Sequence, residues 1–154
     1  YKNLTPNGIL ILGSRNRLYN LFSLNKFTEF EIKLRTHKKF LKEAIDLNNC
    51  TLAKFLKNNK NYFEETPFNQ PTTTGIKVNV RNQFTPGQIN SLLSKHNFRI
   101  NEISPINYHP VSPAIYNRGD KKMRKISNLI MMEENKLALI PFSSSFIISA
   151  KKSL

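Results

Sequence analysis

The four consecutive apolar residues Ile9-Leu10-Ile11-Leu12, entered through Leu4-Thr5-Pro6-Asn7-Gly8, constrain the fold of this chain more than any other stretch. Pro6 presets a turn dihedral, and Asn7 and Gly8 tolerate positive φ, so the backbone can reverse sharply just before the run. A strand over residues 8–13 without polar alternation reads as one covered on both faces of an α/β sheet. Such a sheet needs several further strands, and the first residue is Tyr1 rather than Met. The chain therefore reads as the C-terminal portion of a longer protein.

Beyond that strand, Gly13-Ser14-Arg15-Asn16-Arg17 forms a polar loop at a strand's carboxyl end, where open α/β sheets bind their ligands. Leu18, Tyr19, Leu21, Phe22, Leu24 and Phe27 follow as an apolar stretch suited to packing, with a substrate lid as the alternative. Thr28-Glu29-Phe30-Glu31 reads as a capping box that starts a helix. Its apolar face comprises Phe30, Leu34, His37, Leu41, Ala44 and Ile45 and continues to Leu47. His37 has no metal-type residue one turn away and reads as a packed or partly exposed helix residue. A shorter helix is expected over 51–59 through Leu52, Phe55 and Leu56, and the polar stretch 58–74, with Pro67 and Pro71, reads as an extended loop.

A second capping box, Thr85 with Gln88 around Pro86, opens a helix carrying Ile89, Leu92, Leu93 and His96 on one face. Asn97 suits a left-handed turn that lets Phe98 pack back. A strand is expected over 99–106. Asn107-Tyr108-His109-Pro110 then places a polar and aromatic loop beside the same ligand edge, followed by a Pro-rich passage to Arg118. Residues 120–135 read as a helix with Met123, Ile126, Leu129 and Ile130 buried, and 139–150 as the final strand. Ser143-Ser144-Ser145 lacks an elbow glycine and an acid-base partner, so it reads as strand rather than hydrolase nucleophile.

Composition narrows the function classes. A chain of 154 residues with 39% hydrophobic content can bury one core. The single cysteine, Cys50, excludes an internal disulfide, points to a reducing compartment, and has no local pattern of a nucleophile. No apolar run reaches the roughly 20 residues needed to span a bilayer, and no signal peptide is visible, so a cytoplasmic location is expected. The net charge of +14 is spread along the chain. Together with the Lys, Asn and Ile excess it reads as compositional bias, and the basic clusters at 33–42 and 121–125 read as solvated helix faces rather than a nucleic-acid site.

Three of these segments together resemble the class I S-adenosylmethionine-dependent methyltransferases and cover about a third of the chain. Leu4-Thr5-Pro6-Asn7-Gly8 with its apolar strand is similar to that family's fifth strand, Asn7 standing where a glycine is common. Phe84-Thr85-Pro86-Gly87-Gln88 through Lys95-His96-Asn97-Phe98 resembles its next helix and closing turn. Pro141 through Lys152 resembles its last, antiparallel strand. The resemblance implies an α/β fold in which residues 1–154 are the C-terminal part of a Rossmann-like methyltransferase sheet: the fifth strand, then the last two strands. Residues 20–80 would form a helical insertion or lid.

The activity implied is methyl transfer from S-adenosylmethionine to a small-molecule or a lipid- or sugar-linked acceptor. The family's glycine-rich cofactor loop has no counterpart, since no two of Gly8, Gly13, Gly75, Gly87 and Gly119 stand in Gly-x-Gly spacing. The cofactor is therefore expected to be held mainly by a missing N-terminal part, leaving this fragment inactive alone. His109 is the candidate general base, with packing as its structural alternative. Arg15, Asn16, Arg17 and Tyr108 are the candidate acceptor-binding residues, the first three alternatively forming a solvated turn. The other reading, from a different class, is a basic binding module for RNA or an anionic surface.

Overall fold

The computed structural model describes residues 4–5, 7–58, 82–109, 111–112, 114–115 and 120–152. Pro6, the stretch 59–81 and most of the Pro-rich passage after His109 lie outside the described residues. The chain runs β1 (Ile9–Asn16), a 3-10 turn (Arg17–Leu21), α1 (Lys26–Lys33), α2 (His37–Asn49), α3 (Leu52–Asn58) and β2 (Gln83–Phe84). It continues through α4 (Pro86–Lys95), β3 (Phe98–Tyr108), α5 (Lys121–Met131), α6 (Lys136–Leu139), a second 3-10 turn (Ile140–Phe142) and β4 (Ser143–Lys152).

Asn7 adopts the left-handed conformation expected of it, with φ 67°, and the Gly8 amide donates to the Thr5 carbonyl at 2.9 Å. The strand that follows joins a mixed four-stranded sheet of order β2-β1-β4-β3. β2 runs parallel to β1 but meets it only at Arg15 and Asn16. β4 is antiparallel to both β1 and β3, which therefore run parallel to each other. The ladder between β3 and β4 shifts between Ile100 and Glu102, so the side chains keep their faces on either side of a bulge.

One face of this sheet carries the core. Phe40 and Leu47 of α2, Phe55 of α3, and Ile89 and Leu93 of α4 pack against Ile100, Ile103, Phe146, Ile148 and Ala150. The other face of β1 is exposed among the described residues, which corrects the expectation that β1 is covered on both sides: Ile9 is 55% and Ile11 68% exposed, alternating with half-buried Leu10 and Leu12. Helices α2 and α3 from the segment 20–80 are thus structural partners of the sheet.

Local signals fixed several boundaries and displaced others. Thr85 caps α4 and Gln88 reciprocates, as the sequence implies, and Asn97 closes the helix at φ 58°. The cap of α1 is Asn25 rather than Thr28, with Thr28 as the reciprocal member of the box, so the helix starts earlier than expected. It also stops earlier: Arg35 at φ 59° separates α1 from α2, rotating the buried face to Phe40, Ala44 and Leu47 and leaving Leu34, Leu41 and Ile45 exposed. The last strand begins at Ser143 because Leu139 through Phe142 continue as helical turns containing Pro141.

Candidate functional site

The parallel relation of β1 and β3 brings their carboxyl ends to one edge of the sheet. Asn16 ends β1 there, and its side chain fastens the edge: Nδ2 donates to the carbonyls of Ile140 at 2.6 Å and Ser143 at 2.9 Å, while Oδ1 accepts from the Leu18 amide at 3.0 Å. Asn16 is 2% exposed and its donors are satisfied inside the fold. It shapes the edge instead of contacting an acceptor.

Arg17 is likewise taken out of the ligand-facing set. Its guanidinium is 1% exposed, lies 4.9 Å from the centre of the Phe40 ring, and binds Glu31 in a two-pronged pair, Nε to Oε1 at 2.9 Å and Nη2 to Oε2 at 3.0 Å. Asn20 Nδ2 bridges Glu31 Oε1 at 2.8 Å and Gln83 Oε1 at 2.9 Å, and the Thr36 hydroxyl donates to Glu31 Oε2 at 2.6 Å. This network joins the turn after β1, helix α1 and strand β2. Arg15, by contrast, remains exposed, and Tyr108 is 38% exposed in the ladder opposite Ser143.

His109 lies just past β3, its amide donating to the Phe142 carbonyl at 2.8 Å. Its imidazole is tilted against the Tyr19 ring, with centroids 5.1 Å apart. Burial pushes the Tyr19 phenol up to about 12, so that group stays protonated and serves His109 as a wall. His109 lines an open cavity of about 280 Å3 with Leu21, Phe22, Leu24, Ser112, Ile115 and Phe142, among others. Ser112 ties the two loops of this edge together by donating to the Ser23 carbonyl at 2.8 Å.

Two backbone outliers flank the cavity. Leu24, in its wall, has φ 51°, and Asn107, two residues before His109, has φ 54°. Left-handed geometry costs a side-chain-bearing residue like leucine roughly 1–2 kcal/mol, and such strain gathers at functional loops. The cavity is thus mostly apolar, with one imidazole and one hydroxyl at its surface. That combination suits an apolar molecule carrying a single ionisable hydroxyl or amine.

A cofactor cradle is not found among the described residues. Gly13 has open space where a Cβ would stand, and a Cβ at Gly87 would lie 3.0 Å from Glu43 Oε1, a tight contact within the fold. Neither makes the close backbone approach that a dinucleotide-type loop requires. Among the described residues no group of three or more His, Cys, Asp or Glu is arranged to hold a metal ion. No described helix is long and apolar enough to cross a membrane.

The sequence singled out His109 and Tyr108 at this edge, and gave Tyr19, which lies against the imidazole, and Phe22, which lines the cavity, only as members of an apolar stretch suited to packing or a lid; Ser112 it did not single out. Nor did it single out Glu31, which lies 14 residues from Arg17 and was assigned to a helix cap. No family model, curated protein or solved structure matches the chain.

Proposed function

We propose that this chain is the acceptor-binding, C-terminal part of a class I methyltransferase sheet, acting on a small-molecule or lipid- or sugar-linked acceptor. The observation that carries the reading is β4, antiparallel between two strands that run parallel to each other, with His109 at their common carboxyl edge. S-adenosylmethionine would supply the methyl group and, in this reading, is held mainly by residues other than the described ones, which do not fit it. What these residues do is hold the acceptor. The apolar cavity takes up its body and excludes water, and the His109 imidazole accepts the proton of the hydroxyl or amine within hydrogen-bond reach. Arg15 and Tyr108, both exposed, extend the surface that meets polar groups of the acceptor.

Calorimetric titration of S-adenosylmethionine into the product of the complete reading frame is expected to give saturable binding. His109→Ala should retain that binding and lower transfer of labelled methyl into a cell extract by about 100-fold, the scale of a lost general base. No cofactor binding by the complete product removes the methyltransferase reading; unaltered transfer by His109→Ala removes His109 from it.

A further inference from the structure

We propose that α5 docks on the surface of an anionic lipid bilayer, a role independent of the methyltransferase reading. The helix is unusual within this fold because none of its described side chains is fully buried, Met123, Ser127 and Ile130 being half-buried and the rest exposed, whereas α1, α2, α3 and α4 each bury at least one. A helix of 11 residues is marginal by itself in water and ordinarily gains its stability from a packed apolar face. Here Ile126 is 45% and Leu129 61% exposed, and Met132, at the C-terminal cap, is 77% exposed.

Charge identifies the partner. Lys121, Lys122, Arg124 and Lys125 occupy the first turn and a half, and no acidic residue lies within the helix. No described carboxylate pairs with any of the four. Asp120 is used as the N-cap, accepting from the Lys122 amide at 2.8 Å, and Glu133 and Glu134 lie beyond the C-terminus. Positive charge at this end opposes the helix dipole, so α5 carries an electrostatic cost that an anionic surface would relieve.

The arrangement favours lipid over a purely polyanionic partner. Lys122, Ile126 and Leu129 succeed one another at four- and three-residue spacing, and Lys125 stands one turn before Leu129. All four are exposed. Long lysine stems can then lie along the apolar pair while their ammonium groups reach headgroup phosphates and carboxylates. A nucleic-acid backbone would use the cations and leave Ile126 and Leu129 without a role.

The test is co-sedimentation of the chain with phosphatidylcholine vesicles made with and without phosphatidylserine, alongside titration with a single-stranded oligonucleotide. Binding is expected only with phosphatidylserine and should weaken as salt is raised. Lys122→Gln with Lys125→Gln should weaken it about fivefold for each lysine replaced. Ile126→Ser with Leu129→Ser should weaken it by more than about tenfold while leaving the charge intact. These positions are exposed, so both variants are expected to unfold at the wild-type temperature. Failure to sediment with the anionic vesicles overturns the proposal, as does wild-type binding by the Ile126 and Leu129 variant. Tighter binding to the oligonucleotide, lost in the lysine variant and kept in the serine variant, assigns α5 to nucleic acid and equally overturns it.

Discussion

At the scale of single residues, the chemistry of this chain lies in two buried carboxylates that behave differently. Glu31 accepts from Arg17, Asn20 and Thr36. Removing it by Glu31→Ala would strand the Arg17 guanidinium in the interior and is expected to cost about 3–5 kcal/mol in denaturant unfolding. Replacing both partners, Arg17→Met with Glu31→Leu, should recover most of that loss, because no unpaired charge remains. Glu43 accepts from the Gly87 amide at 2.6 Å, and its other oxygen has no partner among the described residues. Desolvation pushes it up to about 7, with Asp46 adding to the rise and the Gly87 amide and Thr85 hydroxyl opposing it. From its ordinary value of 4.5 to about 7 the folded state keeps a proton that the unfolded state has released. Its contribution to stability is therefore full at the acid end of that window, falls as pH rises through it, and is gone above it. Glu43→Gln should flatten this dependence, unfolding at a higher temperature than wild type above the window and close to wild type below it. Neither carboxylate's role was legible in the sequence, because Arg17 reaches Glu31 across 14 residues, Asn20 in the same network reaches Gln83 across 63, and Gly87 lies 44 residues from Glu43. The position of His109 just past a strand was legible because it is a local fact.

At the scale of elements, the readable features were those whose determinants lie within one turn. The box at Thr85 and Gln88 was identified because cap, proline and reciprocal glutamine are adjacent. Near residue 28 two capping patterns overlap, and the choice fell to Asn25 because its side chain accepts from the Phe27 amide while Thr28 reaches back to the Asn25 amide. The break at Arg35 was hidden, since nothing about an arginine announces left-handed geometry. Arg35→Gly is expected to raise unfolding stability by about 1 kcal/mol by removing that strain, with calorimetric melting as the check. β2 escaped notice because two residues carry no period. The apolar stripe of α5 was expected to be buried, and Met123 and Ile130 are half-buried while Ile126 and Leu129 are exposed: periodicity gives a helix its faces without saying what covers them.

At the scale of the whole molecule, the sheet has helices on one face and apolar residues on the other. Ile9, Ile11 and Ile147 are exposed there, and β1 is unpaired on its outer edge from Ile9 through Ser14 among the described residues. An open edge of this length invites association with other chains. Ile11→Lys is expected to raise the concentration at which the chain stays dispersed, measured by light scattering, without lowering its unfolding temperature. The order of the strands has a kinetic consequence as well. Asn16 reaches the Ile140 carbonyl across 124 residues of sequence, and β1 meets β3 only through β4. During synthesis, β1 cannot take its place beside β4 until β4 itself emerges. The edge that carries the His109 cavity, lined by Phe142 next to β4, is therefore assembled at the end of folding, and a chain that stops before β4 lacks Phe146, Ile148 and Ala150 of the core and has nothing to join β1 to β3.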